Sequence, residues 1–360
     1  MLRSNRSARS LWLLLLLKLL AVMTLVAYLF LNVKIIAYLP STRTPSLRES
    51  DPPGNIDAVA HIQALKKAWW LRPETYRRKH GCDFSAAVAQ FKPEELELNC
   101  VNMDQLEKGE FLGKGFWREV YKTKWKGREV AVKYVKKIHM NRTDIITRHV
   151  EECASIFPIR NQPNIVKLVG WCKTTVVVEY IPHQLDKLEP ISVRRALELA
   201  RDAARGVAQL HNAPGGPFAH TDLQVRQFLL DADGTLKLND FNRVEYAGLR
   251  FVDGVPSGKW RSPEEYQHLR LDEKLDIYSL SLVLWTLRAR VKPFRMYSKS
   301  KVYAMVPKGV RPSVKKMSDY PQQMQDLIVR GWDNDPKKRP TATEMVDEIE
   351  RILASYRDRR

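Results

Sequence analysis

The fold of this chain is restricted most by a lysine that stands at defined intervals from two glycines and two glutamates. Gly113 and Gly115 supply bare backbone, whose N–H groups can approach phosphate oxygens. Lys133 ends an apolar run eighteen residues after Gly115, and Glu152 follows it by a further nineteen. A buried lysine needs such a carboxylate, because desolvation would otherwise remove its charge. The spacing predicts strands, a phosphate-binding turn and a helix that carries Glu152, with the neighbouring Glu151 as the competing partner.

The residues around this lysine alternate between apolar and polar types, which is typical of strands with one buried face. The alternation predicts strands at 119–124 and 129–135. Further short motifs follow in order along the chain: Asn164-Ile165-Val166, Val177-Val178-Glu179-Tyr180-Ile181, His220-Thr221-Asp222-Leu223, Leu236-Lys237-Leu238-Asn239-Asp240-Phe241-Asn242, Ser262-Pro263-Glu264, Asp276-Ile277-Tyr278-Ser279-Leu280, Arg311-Pro312, Trp332, Pro336 and Arg339-Pro340.

Together with Leu112-Gly113-Lys114-Gly115 and Ala131-Val132-Lys133, these motifs resemble the eukaryotic protein kinase superfamily over roughly 250 residues. The resemblance implies an α+β, bilobal fold over 105–357, with a small β-rich N-lobe and a large helical C-lobe. The later motifs are similar to those of tyrosine and tyrosine-like kinases. Glu264 and Arg339 would then form a buried pair that ties the activation segment to the C-lobe.

The resemblance also implies the chemistry. ATP would donate the phosphoryl group, with Lys133 on its α- and β-phosphates and Glu152 orienting the lysine. Asp222 would act as the catalytic base that accepts the proton of the acceptor hydroxyl. Asp240 and Gln227 would bind Mg²⁺ or Mn²⁺, since both ions prefer oxygen ligands. The remaining nucleotide-binding positions implied are Gly113, Gly115, Val120, Ala131, Glu179 and Ile181.

Four positions depart from the kinase pattern. Arg118 replaces the third glycine of the loop, and we expect its side chain to extend into solvent. Thr221 replaces the arginine that usually reads a phosphorylated activation segment, so control by such phosphorylation is disfavoured. Gln227 replaces an asparagine and keeps its amide oxygen. Asn242 replaces a glycine, and asparagine tolerates positive φ. Each substitution preserves part of the original chemistry, which favours an active enzyme over a pseudokinase.

The residues around the catalytic loop give hints about the acceptor. Gln224 stands where serine/threonine kinases carry a lysine, and Arg226 stands where tyrosine kinases carry an arginine. A solvent-exposed loop side chain is the alternative interpretation of Arg226. His220 is expected to organise hydrogen bonds, because phosphoryl transfer by a kinase needs no histidine.

An apolar run at 11–39 is long enough for a membrane helix of about 20 residues. Three arginines and no acid precede it, which favours a cytosolic N-terminus. Its exit lacks the small-residue pattern of a cleaved signal peptide, and its apolar character on all faces disfavours a buried core helix. We expect a cytosolic tail at 1–10, a signal anchor at 11–39 and a lumenal stem at 40–104. The protein would be a single-pass type II membrane protein of the endoplasmic reticulum or Golgi.

A lumenal placement sets the expectations for the cysteines. Cys82 and Cys100 flank a short segment before the kinase-like domain and could pair there. Cys153 and Cys172 fall in predicted core elements, where we expect them to act as small apolar side chains. Asn141-Arg142-Thr143 is a glycosylation sequon that is usable only in the lumen. The anchor and the cysteine-bearing segment also resemble kinases of the protein O-mannose kinase type.

The chain has 60 Lys and Arg against 41 Asp and Glu, and its net charge of +19 favours anionic partners. Nucleic acid is not expected, because a lumenal domain rarely meets it. Three functions are compatible with the sequence: a lumenal protein kinase, a glycan kinase of the same fold, and a pseudokinase scaffold that binds nucleotide or partners. We prefer the first, with a monomeric kinase domain that acts on an acidic or glycan-bearing hydroxyl acceptor.

Overall fold

The computed structural model describes Leu71, Thr75 and the ranges 84–140, 142–187, 189–247 and 258–357. The predicted tail and anchor, most of the predicted stem, Cys82 and the sequon residue Asn141 lie outside the described residues. In the described ranges, no helix combines the length and the apolar character needed to cross a membrane.

The first lobe is built on one antiparallel sheet. Its elements, in chain order, are α1 (Ser85–Gln90), β1 (Glu110–Lys114), β2 (Arg118–Trp125), β3 (Arg128–Val135), α2 (Thr143–Ile156), β4 (Leu168–Cys172) and β5 (Thr175–Glu179). The five strands lie in the order β1-β2-β3-β5-β4. The predicted strands at 119–124 and 129–135 are confirmed, since they fall within β2 and at the centre and end of β3.

The β2–β3 hairpin sets the position of the lysine. Its turn residues Lys126 and Gly127 have φ of 48° and 77°, as the tightest hairpin turns require. The resulting register places Val120 opposite Lys133. The side chain of Lys133 therefore lies on the same face of the sheet as that of Val120, in the strand that follows the glycine-rich loop.

The second lobe is mainly helical. Its elements are β6 (His183–Gln184), α3 (Val193–His211), β7 (Phe218–Ala219), β8 (Phe228–Leu230), β9 (Leu236–Leu238), β10 (Glu245–Tyr246), α4 (Pro263–Tyr266), α5 (Lys274–Ala289), α6 (Lys299–Met305), α7 (Gln322–Gly331) and α8 (Ala342–Ser355). Short 3₁₀ helices lie at Pro93–Glu95, Met103–Gln105, Lys137–His139, Phe157–Ile159, Leu185–Lys187, Val225–Gln227, Val306–Lys308, Val314–Met317 and Pro336–Lys338. This is the predicted bilobal α+β architecture.

The core of this lobe surrounds α5, which is buried along most of its length. Helix α3 packs against α5, α8 and β9. The Ser192 hydroxyl caps α3 by accepting from the Arg195 N–H, and Thr341 with Glu344 forms a capping box on α8. These contacts give the small strands β8 and β9, and the loops beside them, a rigid base.

Residues 84–104, predicted to belong to the stem, pack against the domain. Phe84, Val88, Phe91 and Leu96 join its buried core, and Phe84 stacks on Phe218 of the second lobe. The Leu98 N–H donates to the Val169 carbonyl (3.1 Å), and the Leu98 carbonyl accepts from the Trp171 N–H (3.0 Å). Between these partners, a Cβ on Gly170 would lie 2.4 Å from the Leu98 Cβ, so this close approach requires glycine.

The same pairing determines the disulfide. Cys100 is bonded to Cys172 at the end of β4, with a Cα–Cα distance of 4.9 Å. The predicted pairing of Cys82 with Cys100 is therefore wrong, and so is the interpretation of Cys172 as a small apolar side chain. The physical reason is that the backbone pairing of residue 98 with β4 carries Cys100 to the end of that strand. Cys153 is buried and free, as predicted.

Candidate active site

A buried carboxylate holds the loop that carries Asp222. The two oxygens of Asp276 accept from the backbone N–H groups of His220 (2.6 Å) and Thr221 (2.9 Å), and Oδ2 also lies 3.0 Å from His211 Nε2. Thr221 has a φ of 61°, which is rare for a β-branched residue. The hydrogen bonds that these N–H groups donate to Asp276 stabilise this conformation and so fix the direction of the next residue, Asp222.

His220 links the loop to the chain on either side of it. Its Nδ1 accepts from the Asp222 N–H (3.3 Å), so its Nε2 carries the proton that is donated to the Asn239 carbonyl (3.0 Å). The ring is buried and lies against Phe241. The structural role predicted for His220 is confirmed.

Asp222 is surrounded by donors. Its Oδ2 accepts from Gln227 Nε2 at 3.2 Å and lies 3.7 Å from a guanidinium nitrogen of Arg226. Its Oδ1 accepts from Arg261 Nη2 at 2.7 Å. Arg226 is the solvent-facing member of this set, with a side chain that is 59% exposed. The sequence interpretation did not include Arg261, which is brought here from the activation segment by the fold.

The structure changes the predicted partner of Lys133. Its amine donates to Asn239 Oδ1 at 3.3 Å, whereas the carboxylate of Glu152 forms a salt bridge with Arg118. Burial opposes ionisation of Glu152, but Arg118 and then Lys133 lower the pKa of this carboxyl below its ordinary value. Lys133 therefore acts on Glu152 at longer range, and Arg118 is its direct partner.

The expectation that Arg118 extends into solvent is wrong. The residue is 6% exposed, and its guanidinium also lies 3.0 Å from Nδ1 of His149 in α2. Burial, and then the charge of Arg118, lower the pKa of His149 to about 3, so the ring is a neutral hydrogen-bond acceptor. The sequence holds a signal for this arrangement. Residues two apart on a strand share a face, so Arg118 lies on the face of Val120 and Lys133.

Asp240, the predicted metal ligand, has an unusual backbone conformation and a hydrogen-bonded carboxylate. It has a φ of 67°, and its Oδ1 accepts from Asn242 Nδ2 at 2.6 Å. Asn242 does not use the positive φ that asparagine tolerates; the positive φ lies at Asp240, and the Asn242 side chain holds the carboxylate. Gln227 uses its amide nitrogen on Asp222, which leaves its amide oxygen for other ligands. A carboxylate and an amide oxygen suit Mg²⁺ or Mn²⁺, which usually also binds substrate phosphates.

No group of three or more His, Cys, Asp and Glu side chains that could hold a metal occurs among the described residues. Asp240 and Gln227 would therefore have to share the ion with phosphate oxygens and water.

The positions predicted to bind the nucleotide lie in the first lobe and just after β5. The tip of the glycine-rich loop is held by Lys136, whose amine donates to the carbonyls of Gly115 (2.7 Å) and Phe116 (3.1 Å). Ala131 and Ile181 are buried, and Val120 is partly buried. The Glu179 carboxylate binds the amine of Lys237 at 2.9 Å, so any part that Glu179 takes in nucleotide binding falls to its backbone.

Asn239 was not assigned a role from the sequence, yet it joins the parts of the site. Its Oδ1 accepts from Lys133, its carbonyl accepts from His220, and its N–H donates to the Gln227 carbonyl at 2.8 Å. Its place directly before Asp240 is the signal that could have drawn attention to it.

The predicted buried pair is confirmed. Arg339 donates to both oxygens of Glu264, at 2.6 and 2.8 Å, and both residues are buried. This two-pronged contact ties the end of the activation segment to the chain that leads into α8.

Comparison with known proteins agrees with this geometry. A family model described as protein tyrosine and serine/threonine kinase matches residues 106–349. Mitogen-activated protein kinase kinase kinase 7 of Homo sapiens is 29% identical over 274 residues, which cover 72% of this chain and 44% of that protein. Dual specificity protein kinase shkA of Dictyostelium discoideum is 31% identical over 261 residues, which cover 67% of this chain and 48% of that protein.

The chain spans less than half the length of these curated relatives. The similarity to the protein O-mannose kinase type stays a prediction. The family model, however, covers more than half of this chain and includes every residue placed in the site above. The chain belongs to the protein tyrosine and serine/threonine kinase family.

Proposed function

We propose that this protein is an ATP-dependent protein kinase that transfers the γ-phosphate to a hydroxyl group of a protein. The observation that carries the proposal is the set of hydrogen bonds around Asn239, which joins Lys133, His220 and Gln227. These bonds hold the phosphate-binding lysine, the loop of the catalytic base and the metal-binding segment in one arrangement. Phosphoryl transfer depends mainly on such positioning and on charge neutralisation.

Each side chain has a role in this reaction. Arg118 forms the salt bridge with Glu152, the predicted partner of Lys133. The amine of Lys133 therefore keeps donors free for the α- and β-phosphates. Asp222 orients the acceptor hydroxyl and accepts its proton, and it is held in place through Gln227 and Arg261. The ion held by Asp240 and Gln227 would neutralise phosphate charge when bound.

A comparison of the wild type with Asp222→Ala tests this function. With ATP and Mg²⁺ or Mn²⁺, the wild type should phosphorylate at least one member of a panel of proteins and peptides. The variant should lose at least about a hundredfold in rate, the usual contribution of a positioned base, while it still binds nucleotide. If the wild type consumes no more ATP than the variant with any acceptor, the chain is a pseudokinase. Transfer to oligosaccharides alone would identify a glycan kinase.

We propose that the kinase domain lies in the lumen of the secretory pathway, anchored through residues 11–39. The apolar run supports this placement, and so does the Cys100–Cys172 bond, because disulfides persist mainly in oxidising compartments. In sealed microsomes the domain should resist protease, and glycosidase should reduce the mass of the wild type but not of Asn141→Gln. Digestion by protease without detergent would contradict the proposal.

A further inference from the structure

Three arginines lie around the proposed catalytic base, and they differ in the hydrogen-bond and ion-pair partners of their side chains. Arg261 is 4% exposed and donates to Asp222 Oδ1, to the Thr221 carbonyl and towards Glu265 Oε1 at 3.6 Å. Arg226 lies at the solvent side, 3.7 Å from Asp222. The guanidinium of Arg243 has no hydrogen bond or ion pair with any residue that the structure describes.

The backbone fixes Arg243 beside the base. Its carbonyl accepts from the Thr221 hydroxyl at 2.5 Å, and Thr221 directly precedes Asp222. Arg243 also follows Asp240 by three residues, at the start of the activation segment. The backbone of Arg243 thus lies beside the loop of the proposed base, and its side chain is partly buried.

Like charges lie close together around Arg243. Burial, and then the charge of Arg261, lower the pKa of Arg243 below its ordinary value, which indicates that like charges are held close together. The neighbouring arginine of α2, Arg148, has its own partner in Glu245 at 2.5 Å. Burial raises the pKa of Glu265, whose carboxylate lies 3.6 Å from the Arg261 guanidinium. Among the described residues, Asp222 has both Arg226 and Arg261 within 3.7 Å of its carboxylate oxygens.

We propose that Arg243, with Arg226 and Arg261, forms an acceptor site for acidic peptides, in which a carboxylate or phosphate next to the reacting hydroxyl binds Arg243. This inference rests on the proposed kinase function and names its substrate class. An anion at this position supplies the missing counter-charge, and a guanidinium binds such groups through two parallel hydrogen bonds. Repulsion among the arginines is relieved when the acceptor binds, so the site discriminates against neutral and basic peptides.

The test uses two peptides that differ only in glutamate or glutamine beside the hydroxyl residue, made in serine, threonine and tyrosine forms. Binding to the full chain is measured with a non-hydrolysable ATP analogue present, at low and at high ionic strength. The wild type should bind the glutamate peptide about tenfold more tightly at low salt, which is the effect of one good charge-assisted hydrogen bond. The ratio should shrink at high salt.

The variant Arg243→Gln should reduce this ratio to below about threefold. The matched control Arg351→Gln removes the same charge from α8, where the exposed side chain donates to the Asp347 carbonyl of its own helix, and it should keep the wild-type ratio. The melting temperature of Arg243→Gln should be unchanged or higher, because the variant removes a repelled charge; a lower one would indicate a structural role. A wild-type ratio near one, or a ratio that the variant leaves unchanged, would overturn the inference.

Phosphoryl transfer to the same peptides separates this inference from the proposed function. Equal transfer to both peptides, with equal binding, would support the kinase function and overturn the acidic acceptor site. Selective binding without any transfer above that of Asp222→Ala would overturn the kinase function and support an anion-binding site on a pseudokinase.

Discussion

Arg118 neutralises the buried acid of the N-lobe, the task that the sequence assigned to Lys133. Its guanidinium contacts Glu152 and His149 of α2, and its Nε and Nη1 have no hydrogen-bond partner among the described residues. Helix α2 is therefore fastened to β2 instead of β3. As a result, the Lys133 amine has one hydrogen bond in the described part of the chain, to Asn239, and can turn its other donors to phosphates.

Replacement of this arginine should destabilise the protein strongly. Arg118→Met leaves Glu152 buried without its direct partner, and breaking such a pair costs about 3–5 kcal/mol. The double variant Arg118→Met/Glu152→Leu removes both charges and should recover most of this loss. Urea unfolding of the three proteins measures the free energies. A loss below about 1 kcal/mol in the single variant would show that Lys133 can replace Arg118.

The neutral state of His149 predicts a pH dependence. Its pKa is about 3 in the folded protein, against about 6.5 in an unfolded chain. Between these values the unfolded chain binds more protons, so this histidine makes the folded state less stable as pH falls from about 6.5 towards 3. In His149→Gln this contribution is absent, so the stability advantage of the wild type should shrink on acidification. Thermal unfolding at pH 7 and pH 5 measures it, and parallel profiles would contradict the prediction.

At the level of elements, the segment that precedes the family domain behaves as part of the N-lobe. Leu98 pairs with β4, and the Cys100–Cys172 bond closes a stretch of 72 residues that contains β1, β2, β3 and α2. Covalent closure of a stretch this long restricts the unfolded chain considerably. The segment thus stabilises the sheet on which Lys133 and Arg118 are placed.

Loss of the disulfide should lower the free energy of unfolding by about 4 kcal/mol, the chain-entropy value for a closed loop of this length. Cys100→Ser, Cys172→Ser and the double variant should lose similar amounts, because either change breaks the same bond. Cys82→Ser is the matched control and should unfold like the wild type. A large loss in Cys82→Ser, with none in Cys172→Ser, would restore the pairing that the sequence predicted.

The strands β2 and β3 could be predicted and the disulfide could not, and the difference is whether the determining contacts are local in the sequence. Strands β2 and β3 could be predicted because alternation and a tight turn are local properties of the chain. The disulfide could not be predicted, because Cys100 meets Cys172 only after Leu98 has paired with β4. Arg118 is an intermediate case. Period-two alternation indicates on which face of β2 its side chain lies, but its burial depends on where α2 packs.

For the whole molecule, the Glu264–Arg339 pair joins segments 75 residues apart and is among the most buried contacts of the C-lobe. Arg339 also donates to the carbonyls of Asp333 and Lys274, so one guanidinium connects the activation segment, α5 and the approach to α8. Its partners satisfy most of its donors, as a buried charge requires.

Glu264→Gln should therefore reduce stability by about 3 kcal/mol or more, because it leaves the buried Arg339 without its counter-charge. Arg339→Lys should be nearly as damaging, since an ammonium cannot reproduce the two-pronged contact. As a control, Glu348→Gln removes the acid of an exposed pair with Arg330 and should cost less than about 1 kcal/mol. Urea unfolding measures all three. Equal effects of Glu264→Gln and Glu348→Gln would contradict the prediction.

The site as a whole could be predicted from the sequence only in part. Lys133, Asp222 and Asp240 stand in motifs whose order indicates their proximity. Arg261 and Arg243 stand in no phosphate-handling pattern; in the folded chain Arg261 donates to Asp222, and the Arg243 carbonyl accepts from the neighbouring Thr221. Charge at an acceptor site is thus a property of the folded segment and is not visible in the motifs.

The pairing of Leu98 with β4 has a practical consequence. An unpaired edge strand can join the edge of another molecule, and β4 is the last strand of its sheet. In this protein the Leu98 backbone occupies part of that edge, and the buried side chains of α1 cover the apolar surface nearby. A truncated protein that begins at residue 106, where the family match begins, would expose this edge of β4 and the apolar surface that α1 covers. It should self-associate, and soluble preparations of this kinase domain should therefore begin before Phe84.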